Sequence, residues 1–590
     1  MRLLSLSFFL VLNAILPVMA EKGSLLTQAE TSQFKQTGRY EEVERLCKQF
    51  AATWPDAVHC VEFGHTPEGR PLMALAISHS GALTPKQAAS RGIPVLAVQG
   101  GIHPGESDGK DAGFIALRAL LSEKSQPDWL SKITVLFVPV INVDGHERFG
   151  PWNRPNQVGP EAMGWRTTAQ NLNLNRDYMK ADAPEMRALL RLLGEWDPLV
   201  YADLHVTDGA DFEHDVSIQV EPIHEGAAEL QPAGVLLRDG VIKALAGKGA
   251  LPLPFYPSLV REDDPASGFA ETAYLPRFST GYWALRNRFS MLVETHSWKN
   301  YATRVGITVD TIQALVEQTA EHGRSWLALA HAADQAAAKL GGSDVALNHD
   351  TGPHVTMIDF RGYAYVREPS AISGRLVTRY DASKPQIWHV PYRDTIIPTL
   401  TARAPKGGYW IPAGYASEVA ARLEAHAVRF HTLTQVKTAV PVETLRADAV
   451  SFSTVPFEGR MMLDLKGQWQ PESRDLPPGS LFVPIAQAKA RLVVALLEPQ
   501  APDSFTAWGF FNAAFEQKEY MEPYVAEQVA TEMLTRDPAL AAEFAAKLAT
   551  DEVFARDSKA RLDFFYRRHP SWDERFNLCP VYRTEDFDFK

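Results

Sequence analysis

At three places in this chain a histidine is followed three residues later by a glutamate, a spacing that lets one turn present two metal ligands. With 17 histidines, chance predicts about one such pair, since roughly 6% of residues are glutamate. Residues 59–62 (HCVE) lie in an expected strand, where positions three apart face opposite sides. Residues 65–68 (HTPE) lie in a polar turn. Residues 103–106 (HPGE) alone follow a buried-type strand and precede a helix, which makes them the candidate metal pair.

Two further apolar runs lead into residues with suitable chemistry. Residues 199–204 are followed by His205, and residues 290–293 by Glu294. For any one of these residues, an ordinary polar residue at a strand end is the simpler interpretation. Two imidazoles and a carboxylate, however, leave the fourth position of a zinc ion open, and a further carboxylate can act as the base. The predicted centre therefore consists of the ligands His103, Glu106 and His205 with Glu294 beside them.

Such a centre would hydrolyse an amide or peptide bond. Zinc lowers the pKa of a bound water toward ~7 and polarises a carbonyl group. Glu294 is expected to take the proton of that water and pass it to the leaving amine, because Glu106 is already a ligand. The competing interpretation pairs Glu294 with a basic side chain such as Arg286 or Arg288.

Between the second and third predicted ligands lies QNLNLNRDY, residues 170–178, with Arg166 just upstream. A guanidinium offers a planar fork that matches a carboxylate, such as the free C-terminus of a peptide. Asn175 and Arg176 are therefore candidates for binding that end of a substrate. An arginine exposed on the surface is the alternative.

The surrounding elements must bring these residues together. A helix is expected near residues 39–55, followed by a hairpin, and from Pro94 onward short apolar runs alternate with helical stretches. Runs that are apolar on both faces indicate an α/β fold with a mainly parallel sheet covered on both sides. Ligands bind at the carboxyl edge of such sheets.

A long helix expected at residues 308–340 ends at Gly341-Gly342, where we place a domain boundary. Residues 21–342 form the predicted catalytic domain. Residues 343–590 form a C-terminal α+β region, with strands and turns at 354–415 and helices at 515–568. Its role is open: it could cap the cleft, mediate dimerisation or bind cell-wall or surface ligands.

Composition narrows the class of protein. The chain of 590 residues carries a formal charge of −12 and is 45% hydrophobic and 22% charged. This is typical of globular proteins and gives no broad basic field, so we expect no nucleic-acid partner. Three cysteines are too few for a disulfide scaffold. Cys47 and Cys60 could be bridged or could be buried thiols.

Residues 1–20, MRLLSLSFFLVLNAILPVMA, have the pattern of a cleaved export signal. The alternative is an uncleaved membrane anchor, although the apolar segment is short for a bilayer span. We expect a mature protein in the periplasm or outside the cell, without stable insertion in a membrane.

Taken together, these motifs resemble the zinc metallocarboxypeptidases of the carboxypeptidase A and B type. The resemblance covers roughly residues 39–335, and its motifs are HPGE, Asn142-Val143-Asp144-Gly145, the Asn175-Arg176 pair, His205 and Glu294. It implies a mixed eight-stranded sheet, one zinc ion per chain and hydrolysis of a C-terminal peptide bond. It also implies that His103, Glu106 and His205 bind the zinc.

The resemblance extends to the substrate site. It implies that Arg166 polarises the scissile carbonyl, that Asn175 and Arg176 bind the terminal carboxylate, and that a tyrosine contacts the substrate. Tyr274 and Tyr282 are the candidates for this tyrosine. The specificity pocket should include residues near Ser279 and Thr280, with no deep charge.

The chain also departs from the family pattern. Val143 replaces the usual proline, and three acids follow the third ligand at Asp208, Asp211 and Asp215. These acids could receive an amine-bearing substrate or could accept bonds from loop amides. The segment ETHSWKNY indicates a bacterial subgroup.

Two other functions stay open. An aspartoacylase-like amidohydrolase shares the metal pattern but acts on small N-acyl amino acids. An inactive, peptide-binding member of the family is the third interpretation, although such members commonly lack a ligand or the catalytic glutamate.

Overall fold

The computed structural model describes residues 25–122 and 127–586. The export signal predicted in residues 1–20 lies outside this range. In the part of the chain that is described, no helix is both long enough and apolar enough to cross a bilayer.

A mixed sheet of eight strands forms the centre of the described residues, in the order β1-β2-β4-β3-β5-β9-β6-β7. The strands of this sheet are β1 Val58–His65, β2 Pro71–Ile77, β3 Val95–Gln99, β4 Thr134–Val138, β5 Val200–Thr207, β6 Val216–Glu221, β7 Pro252–Leu253 and β9 Phe289–His296. Strands β4, β3, β5 and β9 run parallel, while the β1, β2 and β6 pairings with their inner neighbours are antiparallel. The predicted mixed α/β sheet is thus confirmed.

Every residue of β3, β4, β5 and β6 is buried. Because successive residues of a strand face opposite sides, continuous burial means that both faces of these strands are covered. The helices up to residue 337 are α1 Gln28–Thr31, α2 Tyr40–Thr53, α3 Pro85–Arg91, α4 Asp108–Ser122, α5 Val143–Glu147, α6 Pro184–Trp196, α7 Gln231–Gly247, α8 Ser279–Ala284 and α9 Tyr301–Ala337. Of these, α4 and α7 both pack against α9.

Helix α9 begins seven residues before the predicted start at residue 308. The side chain of Asn300 accepts a hydrogen bond from the Thr303 N–H at 2.9 Å and so caps the first turn. The helix ends before Gly341-Gly342, and the next strand begins at Asp344.

The predicted hairpin is formed by β1 and β2, which pair in antiparallel register. Helix α2 packs on this hairpin, and a disulfide joins its Cys47 to Cys60 of β1. The structure thus selects the bridge from the two alternatives that the sequence left open.

The structure corrects the predicted ends of two strands. His205 and Glu294 lie inside β5 and β9, which continue to Thr207 and His296. The reason is that β9 pairs on both sides at this level: Thr295 is opposite both Val206 and Val216. The pairing of β5 with β9 therefore continues past His205 and Glu294.

Beyond α9 the chain forms long hairpins, short strands and helices. The strands are β10 Asp344–Thr351, β11 Thr356–Pro369, β12 Leu376–Arg393, β13 Ile396–Arg403, β14 Gly408–Ile411, β15 His431–Thr432, β16 Lys437–Phe452, β17 Leu463–Leu476, β18 Leu481–Pro484 and β19 Tyr582–Thr584. The helices are α10 Ala413–Ala425, α11 Ala490–Leu497, α12 Pro523–Arg536, α13 Pro538–Thr550, α14 Glu552–Arg556 and α15 Ser558–Tyr566. The predicted strands and helices of this region are confirmed, while the hairpin of β16 and β17 was not foreseen.

The C-terminal region packs directly on the eight-stranded part. Strand β12 pairs in parallel with the short strand β8, Phe269–Ala270, which lies between β7 and β9 in the chain. One hydrophobic cluster contains residues of both parts, from Ala29 to Val581. The segment between β7 and β9 is therefore paired directly with the C-terminal region.

Candidate metal centre and catalytic cleft

The turn after β3 presents the first candidate ligands. Gly101 has φ of +62°, a conformation that side chains disfavour, and it turns the chain sharply away from the strand. The Glu106 N–H then donates to the His103 carbonyl at 2.9 Å. This turn places both side chains on one side of the chain, just before α4 begins at Asp108.

His103, Glu106 and His205 converge in a buried group. Within residues 25–122 and 127–586 they form the one cluster of three such side chains whose ligand atoms lie within 4.8 Å of one another. The Nδ1 atom of His103 is 3.0 Å from Glu106 Oε1, and Nδ1 of His205 is 3.1 Å from Glu106 Oε2. The fold thus brings one donor atom from each of these three side chains close enough to share a metal ion.

Asn173 fixes the orientation of His103, and the sequence analysis missed this residue. Its Oδ1 lies 3.1 Å from His103 Nε2 and also accepts from the Asn175 N–H at 3.0 Å. An amide oxygen can only accept, so Asn173 favours the tautomer with the proton on Nε2, which would leave the Nδ1 lone pair for a metal ion. Its position two residues before the predicted Asn175-Arg176 pair was the available signal.

His205 is oriented by its own strand. Asp203 lies two residues earlier on β5, and its Oδ1 is 3.0 Å from His205 Nε2. The Val206 N–H donates to Glu106 Oε2 at 2.9 Å, which ties the third ligand to the second. A carboxylate behind a ligating imidazole is a common arrangement at zinc sites.

Arg154 is a second residue that the sequence analysis did not identify. Its Nη2 is 2.8 Å from Glu106 Oε1, and its side chain is only 10% exposed. A Cβ added to Gly105 would lie 2.5 Å from Arg154 Cγ, so glycine at this position permits the approach. The guanidinium supplies a positive charge beside the metal centre.

The charges of the group fit metal binding. Burial lowers the pKa of His103 to about 4, so its imidazole is neutral near pH 7. Burial opposes ionisation of Glu106, but Arg154 and His103 hold the pKa of Glu106 well below its usual value. Burial likewise opposes the charge on His205, yet Asp203 raises the pKa of His205 well above normal. A bound metal ion would therefore displace a proton from His205.

Glu294 faces this group from the neighbouring strand, directly opposite His205 in the register of β5 and β9. The alternative partners are engaged elsewhere: Arg288 binds Asp197 at 2.6 Å, and Arg286 stacks over the Trp283 ring at 4.6 Å. Burial raises the pKa of Glu294 to about 8, with Glu106 acting in the same direction. A nearby cation would lower that pKa and favour the carboxylate form that a base requires.

A cleft of about 670 Å³ opens over His103, Glu106 and His205. Every predicted site residue borders it: His103, Glu106, Arg166, Asn175, Arg176, His205 and Glu294. Arg176 is held by a bond from Nη1 to the Asn175 carbonyl at 2.7 Å and stacks 4.4 Å over the Phe278 ring. The cleft thus combines three candidate ligands, one candidate base and a group of guanidinium donors.

The two candidate tyrosines have different positions. Tyr274 borders the cleft, together with Ser279 and Thr280 of the expected specificity pocket. Tyr282 is fully buried, and its hydroxyl is 2.9 Å from His426 Nδ1. Of these two candidates, Tyr274 is therefore the one that can reach a ligand in this cleft.

Of the three acids after β5, Asp208 borders the cleft and accepts from Asn156 Nδ2 at 3.0 Å. Asp215 accepts from the Leu251 N–H at 2.8 Å, as expected of a loop carboxylate. Asp211 lies away from the cleft walls, and burial raises its pKa.

The Asn142 motif braces the site. Asn142 Oδ1 accepts from the Gly145 N–H at 3.0 Å, while its Nδ2 donates to the Arg166 carbonyl at 3.3 Å. Asp144 binds Thr66 Oγ1 at 2.7 Å and Arg70 Nη1 at 2.6 Å. These residues therefore hold loops together.

Comparison with known proteins shows what this chain is similar to. Residues 43–211 match the zinc carboxypeptidase family model. A Carboxypeptidase 2 of Trichophyton rubrum is 24% identical over 452 residues, which are 75% of this chain and 78% of that protein. Residues 43–211 thus match a zinc carboxypeptidase domain, and this match together with the relatives supports a peptide hydrolase. Glu294 lies beyond the matched residues.

Two solved structures are also similar. Carboxypeptidase A from Helicoverpa armigera aligns with a TM-score of 0.35 and 17% identity, covering 49% of this chain and 75% of that one. A metallo-carboxypeptidase from Burkholderia cenocepacia aligns with a TM-score of 0.33 and 17% identity, covering 46% and 68%.

Proposed function

We propose that this protein is an exported zinc-dependent carboxypeptidase that hydrolyses the C-terminal peptide bond of its substrate. The observation that carries the proposal is the common cleft: the buried group of His103, Glu106 and His205 lies beside Glu294 and a set of guanidinium groups. A hydrolase that acts at chain ends needs both a metal-assisted reaction centre and a site for the terminal carboxylate.

One zinc ion is the metal that this donor set favours. Two imidazole nitrogens and one carboxylate are the protein ligands of many catalytic zinc sites, and they leave a position open. When bound, zinc supplies a Lewis acid that polarises a carbonyl and makes water more acidic. His103 and His205 offer Nδ1, because their Nε2 atoms face Asn173 and Asp203.

Glu294 moves the proton in this mechanism. Its carboxylate oxygen accepts a proton from the attacking water and then delivers it to the nitrogen of the leaving amine. The position of Glu294 opposite His205 keeps this carboxylate beside the metal group throughout. Arg154 stays paired with Glu106 and keeps that ligand ionised.

The substrate is held by its free end. Arg176 offers a planar fork for the terminal carboxylate, and Asn175 adds an amide donor. Arg166, which also borders the cleft, stabilises negative charge on the scissile carbonyl oxygen. Ser279 and Thr280 line the pocket for the last side chain, which we expect to be uncharged.

A peptide panel tests this function. The purified protein with zinc should release the last residue from peptides with a free C-terminus and act much more slowly on the same peptides with an amidated terminus. Mass spectrometry of the products identifies the released residue, and muropeptides in the same panel distinguish cell-wall from protein substrates. Preferential turnover of N-acyl amino acids would instead indicate an aspartoacylase-like amidohydrolase, and no turnover would indicate a peptide-binding protein.

Export has its own test. If residues 1–20 are a cleaved signal, the protein recovered from the periplasm or medium should begin near Glu21 by N-terminal sequencing. Recovery of an intact N-terminus in the membrane fraction would support the anchor instead.

A further inference from the structure

A turn of the C-terminal region contacts the segment that carries the candidate substrate residues. This turn, Phe457 to Arg460, connects β16 and β17 and is closed by two backbone hydrogen bonds of 2.9 and 3.0 Å. Glu458 at its tip has φ of +50°, a conformation that few residues with side chains adopt. The turn is therefore well defined at the point where it meets the segment 172–182.

Glu458 makes the most direct of these contacts. Its Oε2 accepts a hydrogen bond from the Asn173 N–H at 2.8 Å. Asn173 in turn orients His103 through Oδ1 and accepts from the Asn175 N–H with the same atom. A continuous chain of contacts thus leads from the C-terminal region through Asn173 to a candidate zinc ligand.

The same segment is held at two further points. Asp182 binds Arg460 through both carboxylate oxygens, at 2.6 and 2.7 Å, and binds Arg422 at 3.1 Å. The Met179 carbonyl lies 3.0 Å from Nε2 of the buried His426. Residues 172–182 are therefore fixed at their beginning, middle and end by the C-terminal region.

The charges around Arg176 also favour its contact with the C-terminal region. Arg176 is partly buried, and the positive charges of Arg166 and Arg277 act on it, while Glu458 offsets them with a negative charge. Asp503 of the C-terminal region neutralises Arg277 with a pair of contacts at 2.8 Å. Two carboxylates near this cationic site, those of Glu458 and Asp503, thus come from the C-terminal region.

We propose that residues 343–586 complete the active site, with Glu458 as a positioning residue that holds Asn173 and, through it, His103. This inference rests on the proposed function for its catalytic readout, although its zinc readout is independent. It gives the C-terminal region a defined role, which its composition did not reveal.

The experiment uses the full-length protein with zinc and compares Glu458→Ala with Glu458→Gln. The glutamine variant keeps an oxygen that can accept from the Asn173 N–H, whereas alanine removes the acceptor. Glu418→Ala is the matched control, because Glu418 belongs to the same interface and lies 3.6 Å from Arg460 without contacting Asn173. For each variant, kcat, KM and the rate of zinc loss to a chelator are measured.

We expect Glu458→Ala to lower kcat and speed zinc loss about tenfold each, a size typical of groups that support metal ligands. Glu458→Gln should restore both to within about twofold of the wild type, and Glu418→Ala should leave both unchanged. In an Asn173→Ala background, Glu458→Ala should cause no further zinc loss, because its effect passes through the Asn173 side chain.

Three results would overturn the inference: no difference between Glu458→Ala and Glu418→Ala, equal damage from Glu458→Gln and Glu458→Ala, or full additivity with Asn173→Ala. If the wild-type protein hydrolyses no peptide, the proposed function fails. The zinc-loss comparison then still decides whether Glu458 positions the metal ligand.

Discussion

The eight-stranded part and the C-terminal region are both built from strands and helices, but they bury their strands differently. Strand β5, which carries His205, is buried along its whole length. Strand β11 of the C-terminal region alternates between buried, intermediate and exposed positions along most of its length. The candidate ligands and base all belong to the first part, whereas the second reaches the site through side chains of turns and helix ends.

The two parts of the molecule therefore contribute to the cleft in different ways. A covered parallel sheet fixes the register of neighbouring strands, so His205 and Glu294 face each other without help from loops. The segment 172–182, by contrast, contains only one short 3-10 turn, Leu174–Arg176, and depends on contacts from the C-terminal region. In the proposed mechanism the sheet fixes His205 and Glu294, and the C-terminal region positions residues 172–182.

The largest effect on activity is expected when the candidate ligand His205, which lies on strand β5, is removed. His205→Ala should lose zinc and lower kcat/KM by more than about 100-fold, because losing a ligand is worse than losing a residue that supports one. Metal analysis and peptide hydrolysis measure the two losses. His65→Ala, in the exposed HTPE motif, is the matched control and should keep both zinc and activity. Stoichiometric zinc in His205→Ala would remove this residue from the metal centre.

The next effect concerns the substrate carboxylate. Arg176→Ala should raise KM for peptides with a free C-terminus about 100-fold, since a charged hydrogen-bonding partner is lost, while zinc content stays unchanged. Steady-state kinetics on free and amidated peptides measure the change. An unchanged preference for the free terminus would show that the carboxylate binds elsewhere.

A smaller effect is expected at the contact between the two regions. Asp182→Asn removes the charge that binds Arg460 and Arg422 and should lower kcat/KM about threefold, the size of a partly exposed ion pair. Equal kinetics in Asp182→Asn and the wild type would show that this contact does not order the segment.

The same contact predicts a pH dependence of stability. Burial opposes the charge on Asp182, but the hydrogen bond with Arg460 holds the pKa of Asp182 below 3.8. A lowered pKa in the folded state stabilises the protein above the unfolded value, and this stabilisation is lost as the pH falls through the lowered pKa. The difference in melting temperature between wild type and Asp182→Asn should therefore shrink below about pH 4. A constant difference down to pH 2 would contradict this assignment.

The disulfide should affect stability and leave the chemistry unchanged. Cys47→Ala with Cys60→Ala opens a loop with a sequence separation of 13 residues, which should lower the free energy of unfolding by about 3 kcal/mol. Thermal unfolding of the double variant measures the loss, and its kcat should match that of the wild type. A large fall in zinc content would link this hairpin to the metal centre.

The sequence predicted the sheet and pointed to residues that border one cleft, because strand ends and short motifs are local signals. HPGE and the Asn175-Arg176 pair are contiguous, and apolar runs lead directly to His205 and Glu294. The supporting residues could not be found in this way. Asn173 is 70 positions from His103, and Glu458 is 285 positions from Asn173. Such contacts arise only when the C-terminal region packs on the sheet.

Glu294 is the proposed base of a zinc-dependent peptidase, and the variant Glu294→Gln separates this role from metal binding. The glutamine keeps the size of the side chain but accepts no proton, so hydrolysis should fall by about 100-fold or more. Zinc content, measured by metal analysis on the same sample, should stay at one ion per chain. If Glu294 is the base, hydrolysis is lost while zinc stays bound; retained hydrolysis with full zinc would exclude Glu294 from this role.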